Sequence, residues 1–199
     1  MGYSLCWAAV RGKSRETVLG ELGFRETRDH KQIAESPFAG AQLADGWYLV
    51  TDYDHVRLSD EVVLARLASG AELVACALDD HSMSSCASGW RDGVKLWSVS
   101  HDPAQSIEHL ETTGDLPDAF AAIRKRLFAK QRRARGRRVD YVYDVPAQLG
   151  RALTGFIHDL DAEDDLEFET LEPTASASAG RGRSVPAPFS VTVRWGRDR

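Results

Sequence analysis

Residues 72–100 read ELVACALDDHSMSSCASGWRDGVKLWSVS, and this stretch decides the fold. Residues 72–78 are an almost continuous apolar run of strand length. Residues 83–90 make a second strand-like run with many small side chains, and 94–100 a third. Asp92-Gly93 between the last two is a strong hairpin signal, because a two-residue turn needs positive φ at its central positions. That turn pairs Trp90 with Lys95, Ser88 with Trp97, Cys86 with Val99, and Ser84 with His101. The expectation is an α+β fold whose mainly antiparallel sheet has a central three-stranded meander at about 72–100.

Upstream, residues 3–10 alternate Tyr3, Leu5, Trp7 and Ala9 against smaller residues, a strand pattern. Ser14 is placed to cap a helix carrying Val18, Leu19 and Leu22, with Gly23 as its stop. Residues 25–43 have no clear period and read mostly as loop. Residues 46–50 read as a short buried strand. Ser59 caps a second helix, with Asp60 and Glu61 in its first turn and Gly70 at its end. Downstream, Asp102-Pro103 opens a short helix through Ile107 and Leu110 to Gly114. Asp115 caps the clearest helix, where Leu116, Phe120, Ile123 and Leu127 follow the spacing of a core-facing stripe. Residues 139–143 read as a strand. Asp144-Val145-Pro146 starts a last helix, with Leu149 and Leu153 inward. The helices are expected on one face of the sheet.

Length and composition bound the rest. A chain of 199 residues with 43% hydrophobic and 28% charged content is one globular domain with an appendage. These values exclude a fully disordered chain, a collagen and a disulfide scaffold. We divide the chain into an α+β domain at 1–172, a flexible linker of Pro, Thr, Ala, Ser, Gly and Arg at 173–188, and a strand-like tail at 189–199. The tail's Phe189, Val191, Val193 and Trp195 would add as an edge strand, or pair with a second copy to give a homodimer. No apolar run reaches the roughly 18 residues of a membrane span, and no signal-peptide pattern opens the chain. The expected compartment is the cytoplasm, with no membrane partner. Cys6, Cys76 and Cys86 have no zinc spacing and read as buried thiols. A three-residue turn at 80–82 would set Cys76 opposite Cys86, in reach of a disulfide.

Charge is segregated in an otherwise mildly acidic chain of net charge −5. Residues 124–138 hold nine Lys or Arg and no acid, and residues 159–172 hold eight Asp or Glu and no Lys or Arg. The acidic block suits steering toward a basic partner. Its alternating Asp159, Asp161, Glu163 and Asp165 resemble calcium ligands in spacing but lack the glycine and terminal glutamate of an EF-hand loop. Leu160, Leu166, Phe168 and Leu171 punctuate the acids, so the block should dock on something. The basic block suits phosphates, through Arg132, Arg133, Arg135, Arg137 and Arg138. The plainer readings are a solvated helix end and loop, or pairing of the two blocks with each other.

Catalytic motifs are scarce. The His-Asp pairs at 101–102 and 158–159 lack the helical setting of metal-dependent phosphohydrolases, so no metal or cofactor is expected. The hairpin register sets Ser84 beside His101, with His81 near, a sketch of a small hydrolase site without a nucleophile elbow. Trp47, Trp90 and Trp97 surround the sheet, and Trp90 at the hairpin end would be the exposed binding anchor. The preferred reading is a non-enzymatic cytoplasmic protein of the immunity or inhibitor type. It would occlude a basic protein, such as a toxin, through Asp159, Asp161, Glu163, Asp164, Asp165, Glu167 and Trp90. A nucleic-acid-associated protein and a hydrolase built on Ser84, His81 and His101 are the alternatives.

Overall fold

The computed structural model describes residues 4–31, 36–53, 57–134, 139–158 and 166–174. In chain order the elements are β1 (Ser4–Arg11), α1 (Arg15–Leu22), β2 (Phe24–Lys31), β3 (Phe38–Gln42), β4 (Trp47–Asp52), α2 (Glu61–Leu67), β5 (Glu72–Asp79), β6 (Ser84–Arg91), β7 (Val94–His101), β8 (Glu111–Gly114), α3 (Ala119–Arg133), α4 (Asp144–Thr154) and β9 (Phe168–Pro173). The strands form a nine-stranded antiparallel sheet in the order β2-β9-β3-β4-β1-β5-β6-β7-β8. The fold is α+β.

The helices cover both faces of this sheet, not one. β1 shows why: its side chains alternate between two cores. Leu5, Trp7 and Ala9 join Ile123 and Leu127 of α3 and Val145 and Leu149 of α4. Cys6, Ala8 and Val10 join Val18 and Leu22 of α1 and Leu64 and Leu67 of α2. A strand buried on both faces has no polar side to show, which is why β5 reads as a continuous apolar run and why β1 is apolar at every position from Leu5 to Val10.

Strands β5, β6 and β7 are neighbours, and the Asp92-Gly93 turn has φ of 52° and 80°, the positive values a mirror-image turn demands. Trp90 pairs with Lys95 across it. Beyond that pair the register departs from the sequence expectation. Gly89 faces Trp97, so Leu96 is an extra residue, a β-bulge. Ser88 therefore pairs with Ser98, Cys86 with Ser100, and Ser85 with His101. Beside the bulge the Trp97 indole lies against Gly89, where an added Cβ would lie 2.1 Å from Nε1. Gly89→Ala should cost about 1–3 kcal/mol by overpacking, read as a lower urea midpoint at unchanged slope. An unchanged midpoint would mean the indole moves away freely.

Other expectations are corrected. Residues 25–43 carry strands β2 and β3. The segment after Asp102 is a run of turns, nucleated where the Asp102 carboxylate accepts the Ala104 N–H, and it ends in β8. Residues 139–143 are a turn, because Asp140 Oδ1 accepts the N–H groups of Val142 and Tyr143 and curls the chain into α4. Asp60, not Ser59, caps α2 by accepting the Val62 N–H at 2.8 Å. α3 begins at Ala119, beyond Asp115, whose N–H is taken by the Leu96 carbonyl. Four residues separate β5 from β6, so Cys76 pairs with Ala87 and Cys86 with Ala77, and the cysteines are free thiols. Burial raises the pKa of all three and keeps them protonated. Pro173, read as linker, is the last residue of β9. The remaining linker beyond Thr174, the tail strand at 189–199 and any dimer through it lie outside the described residues.

Candidate functional site

The acidic block divides at Leu166. Residues 159–165, with Asp159, Asp161, Glu163, Asp164 and Asp165, lie outside the described residues. Both flanks are fixed in one core. On one side Phe156 meets Trp7 edge to face at 5.4 Å, and His158 stacks edge-on against Tyr53. On the other, Phe168 is 1% exposed at the start of β9. β9 then inserts between β2 and β3, and its acids meet local cations: Glu169 binds Arg15 at 2.6 Å and Glu172 binds Arg25 at 3.2 Å. Glu167 is exposed.

Trp90 is not an exposed anchor. It is 6% exposed, its Nε1 donates to Ser88 Oγ, and Lys95 lies over its ring at 5.5 Å. Hairpin ends are exposed when nothing covers them, but α2 packs across this one, with its Glu61 bound to Lys95. On the opposite face a cleft of about 220 Å³ opens among Trp47, Trp97, Leu153 and Pro117, with Arg11 over the Trp47 ring at 4.5 Å.

The Ser84, His81 and His101 set does not assemble. Ser84 Oγ shares a 2.7 Å hydrogen bond with Ser82 Oγ, and Ser82 donates to Asp79. Asp79 also accepts from Ser4 Oγ and the His81 N–H. Burial works to raise the Asp79 pKa, but these hydrogen bonds outweigh it and hold the carboxyl below its usual range. His81 is exposed at the turn. His101 is 2% exposed and turned the other way. Its Nδ1 lies 2.7 Å from the His109 carbonyl and its Nε2 2.9 Å from Asp140 Oδ2. A carbonyl and a carboxylate only accept, so a ring bearing both protons satisfies both. Burial opposes that charge, yet the bonds to Asp140 and His109 prevail and the His101 pKa is raised. An imidazole committed on both nitrogens is no base for a serine.

This network ties the end of the sheet to α4. His109 Nδ1 accepts the Asp102 N–H, Ser85 Oγ donates to the Tyr143 carbonyl, and Tyr143 Oη donates to Asp80 at 2.7 Å. Sequence reasoning missed Asp140 and Tyr143. The signal for Asp140 was an aspartate a few residues before a helix, where its carboxylate can accept backbone N–H groups just downstream and form a turn. Among the described residues no group of three or more His, Cys, Asp and Glu is arranged to hold a metal ion. No helix among them is long and apolar enough to cross a membrane.

Of the basic block, Arg132 and Arg133 are exposed at the end of α3, while Arg135, Arg137 and Arg138 lie outside the described residues. No protein-family model, curated protein or solved structure matches the chain.

Proposed function

We propose that the protein is a non-enzymatic cytoplasmic binding protein of the immunity or inhibitor type, engaging a basic partner protein through residues 159–165 and Glu167. One observation supports this above the others. Five acids and no cation occupy residues 159–165, and the chain on either side is pinned into one core by Phe156 and Phe168. Charges held between fixed ends lose less freedom on binding than charges on a free tail. The acids that sit on β9 itself have Arg15 and Arg25 as partners.

The test is a quadruple neutralisation, Asp161→Asn, Glu163→Gln, Asp164→Asn and Asp165→Asn. The expected result is slower association with a captured basic partner, by about tenfold or more at low salt, with a flatter salt dependence. Equal recovery and equal association rate for parent and variant would overturn the reading.

A further inference from the structure

Many cations elsewhere in the fold are matched with carboxylates, although Arg57 and Arg66 bond backbone carbonyls instead. Arg11 and Arg91 share Glu72, Lys13 binds Glu21, Arg15 binds Glu26 and Glu169, Arg25 binds Glu172, and Lys95 binds Glu61. Helix α3 concentrates cations without such pairs, and Lys130 acts on the Asp144 carboxylate only at longer range. Arg124, Lys125, Arg126, Lys130, Arg132 and Arg133 are all exposed, and none of them enters an ion pair among the described residues. Several have positioned stems instead. Arg124 lies over Phe128 at 4.8 Å, Lys130 over Tyr141 at 5.6 Å, and Arg126 donates to Gln148. The helix dipole accounts for cations in the last turn, where Lys130, Arg132 and Arg133 sit. It does not account for three consecutive cations in the middle of the helix, in a chain of net charge −5.

The spacing gives the patch a shape. At 3.6 residues per turn, Lys125 and Arg132 form one row and Arg126 and Arg133 another, each pair separated by about 10.5 Å along the axis. Between the rows the outward line carries only Ala122 and Ala129. A protein interface needs a large buried anchor, and this face presents none. Single-stranded nucleic acid needs exposed aromatic rings for stacking, but Phe128 is buried in the helix interface. Duplex phosphates need only cations on a face that can come close. We propose that this face of α3 binds duplex nucleic acid through its phosphates, without reading sequence.

The test uses the full chain and a fluorescently labelled random duplex of about 20 base pairs, followed by anisotropy. Four phosphate contacts predict a log–log salt slope of about −3.6, so affinity should fall about a hundredfold between 50 and 200 mM salt. The variant Lys125→Gln/Arg126→Gln/Arg132→Gln/Arg133→Gln should lose most of that slope while keeping its circular-dichroism melt, since exposed charges contribute little to stability. Neutralising Asp161, Glu163, Asp164 and Asp165 should leave duplex binding intact or tighter, so this inference and the acidic-segment reading fail separately. The proposal is overturned if the parent fails to bind duplex at 50 mM salt, if the glutamine variant keeps the parent's slope, or if polyglutamate or single-stranded DNA binds more tightly than duplex.

Discussion

Replacing Phe168 and Leu171 together with alanine is expected to remove most or all of the net stability of the fold. β9 places these two side chains in different cores. Phe168, 1% exposed, belongs with Trp7, Leu149 and Phe156; Leu171, 2% exposed, belongs with Phe24, Phe38 and Tyr48. Truncating a buried Phe or Leu to Ala costs about 2–5 kcal/mol each, because a cavity adds to the lost transfer energy. Sites that share no partners add, so the pair should cost about 4–10 kcal/mol. A typical domain has a net stability of about 5–15 kcal/mol. Each single variant should still unfold cooperatively at a lowered midpoint, and the double variant should show little or no transition by circular dichroism. A double variant that melts within a few degrees of the parent would mean that β9 is peripheral. Its place between β2 and β3 argues otherwise, since without it β2 has no strand partner among the described residues.

β9 also marks where sequence reading fails and why. The block at 159–172 reads as one acidic unit because its charge is uniform. Folding divides it, and the partner strand β2 is far away in sequence: Arg25 and Glu172 are separated by 147 positions. β2 itself, with Arg25, Glu26 and Thr27 following Phe24, has no apolar alternation. Its pairing comes from β9 and its ion pairs from Arg15 and Glu172, and no local pattern reports either. The β6–β7 hairpin is the opposite case. Its turn chemistry is two residues long and local, so Asp92-Gly93 sets the first pairs directly. The same hairpin then loses register at Leu96, because a bulge is specified by how Trp97 packs on Gly89 and not by the alternation of the strand. The helices were expected on one face of the sheet, and the strands that call for cover on both faces were not read that way. The runs Leu5-Cys6-Trp7-Ala8-Ala9-Val10 and Leu73-Val74-Ala75-Cys76-Ala77-Leu78 leave no polar side for water. At the candidate sites, His101 stood out as a titratable residue ending a strand. Its partner Asp140 lies 39 positions on and was hidden inside what read as a strand.

His101→Gln is expected to destabilise the protein by about 3–5 kcal/mol at neutral pH, because it leaves the Asp140 carboxylate buried without its cation. Asp140 is 6% exposed by side chain, so water cannot take over the role. The pH dependence carries the more specific signature. In the unfolded chain the imidazole titrates near its ordinary 6.5, and the fold raises that value. A raised pKa means that the folded state holds the proton more tightly. The stabilisation is therefore full below about pH 6.5 and drains away as pH rises through the folded value. The groups facing the ring are Asp140, Asp102, the His109 carbonyl and the His109 ring, whose centroid is 6.4 Å away. Asp144 is raised as well, by burial and then by Asp140, so it adds its own loss of stability as pH rises from its ordinary 3.8, a loss that parent and His101→Gln share and that cancels in their comparison. Urea unfolding from pH 5 to 9 should show the parent losing stability above pH 6.5, and His101→Gln should lack that decline. Asp140→Asn should abolish the same decline, and the double variant should cost less than the sum of the two singles, since each single already breaks the one buried pair. Parallel pH profiles for parent and His101→Gln, or strictly additive losses, would show that the imidazolium–carboxylate pair does not hold the end of the sheet to α4.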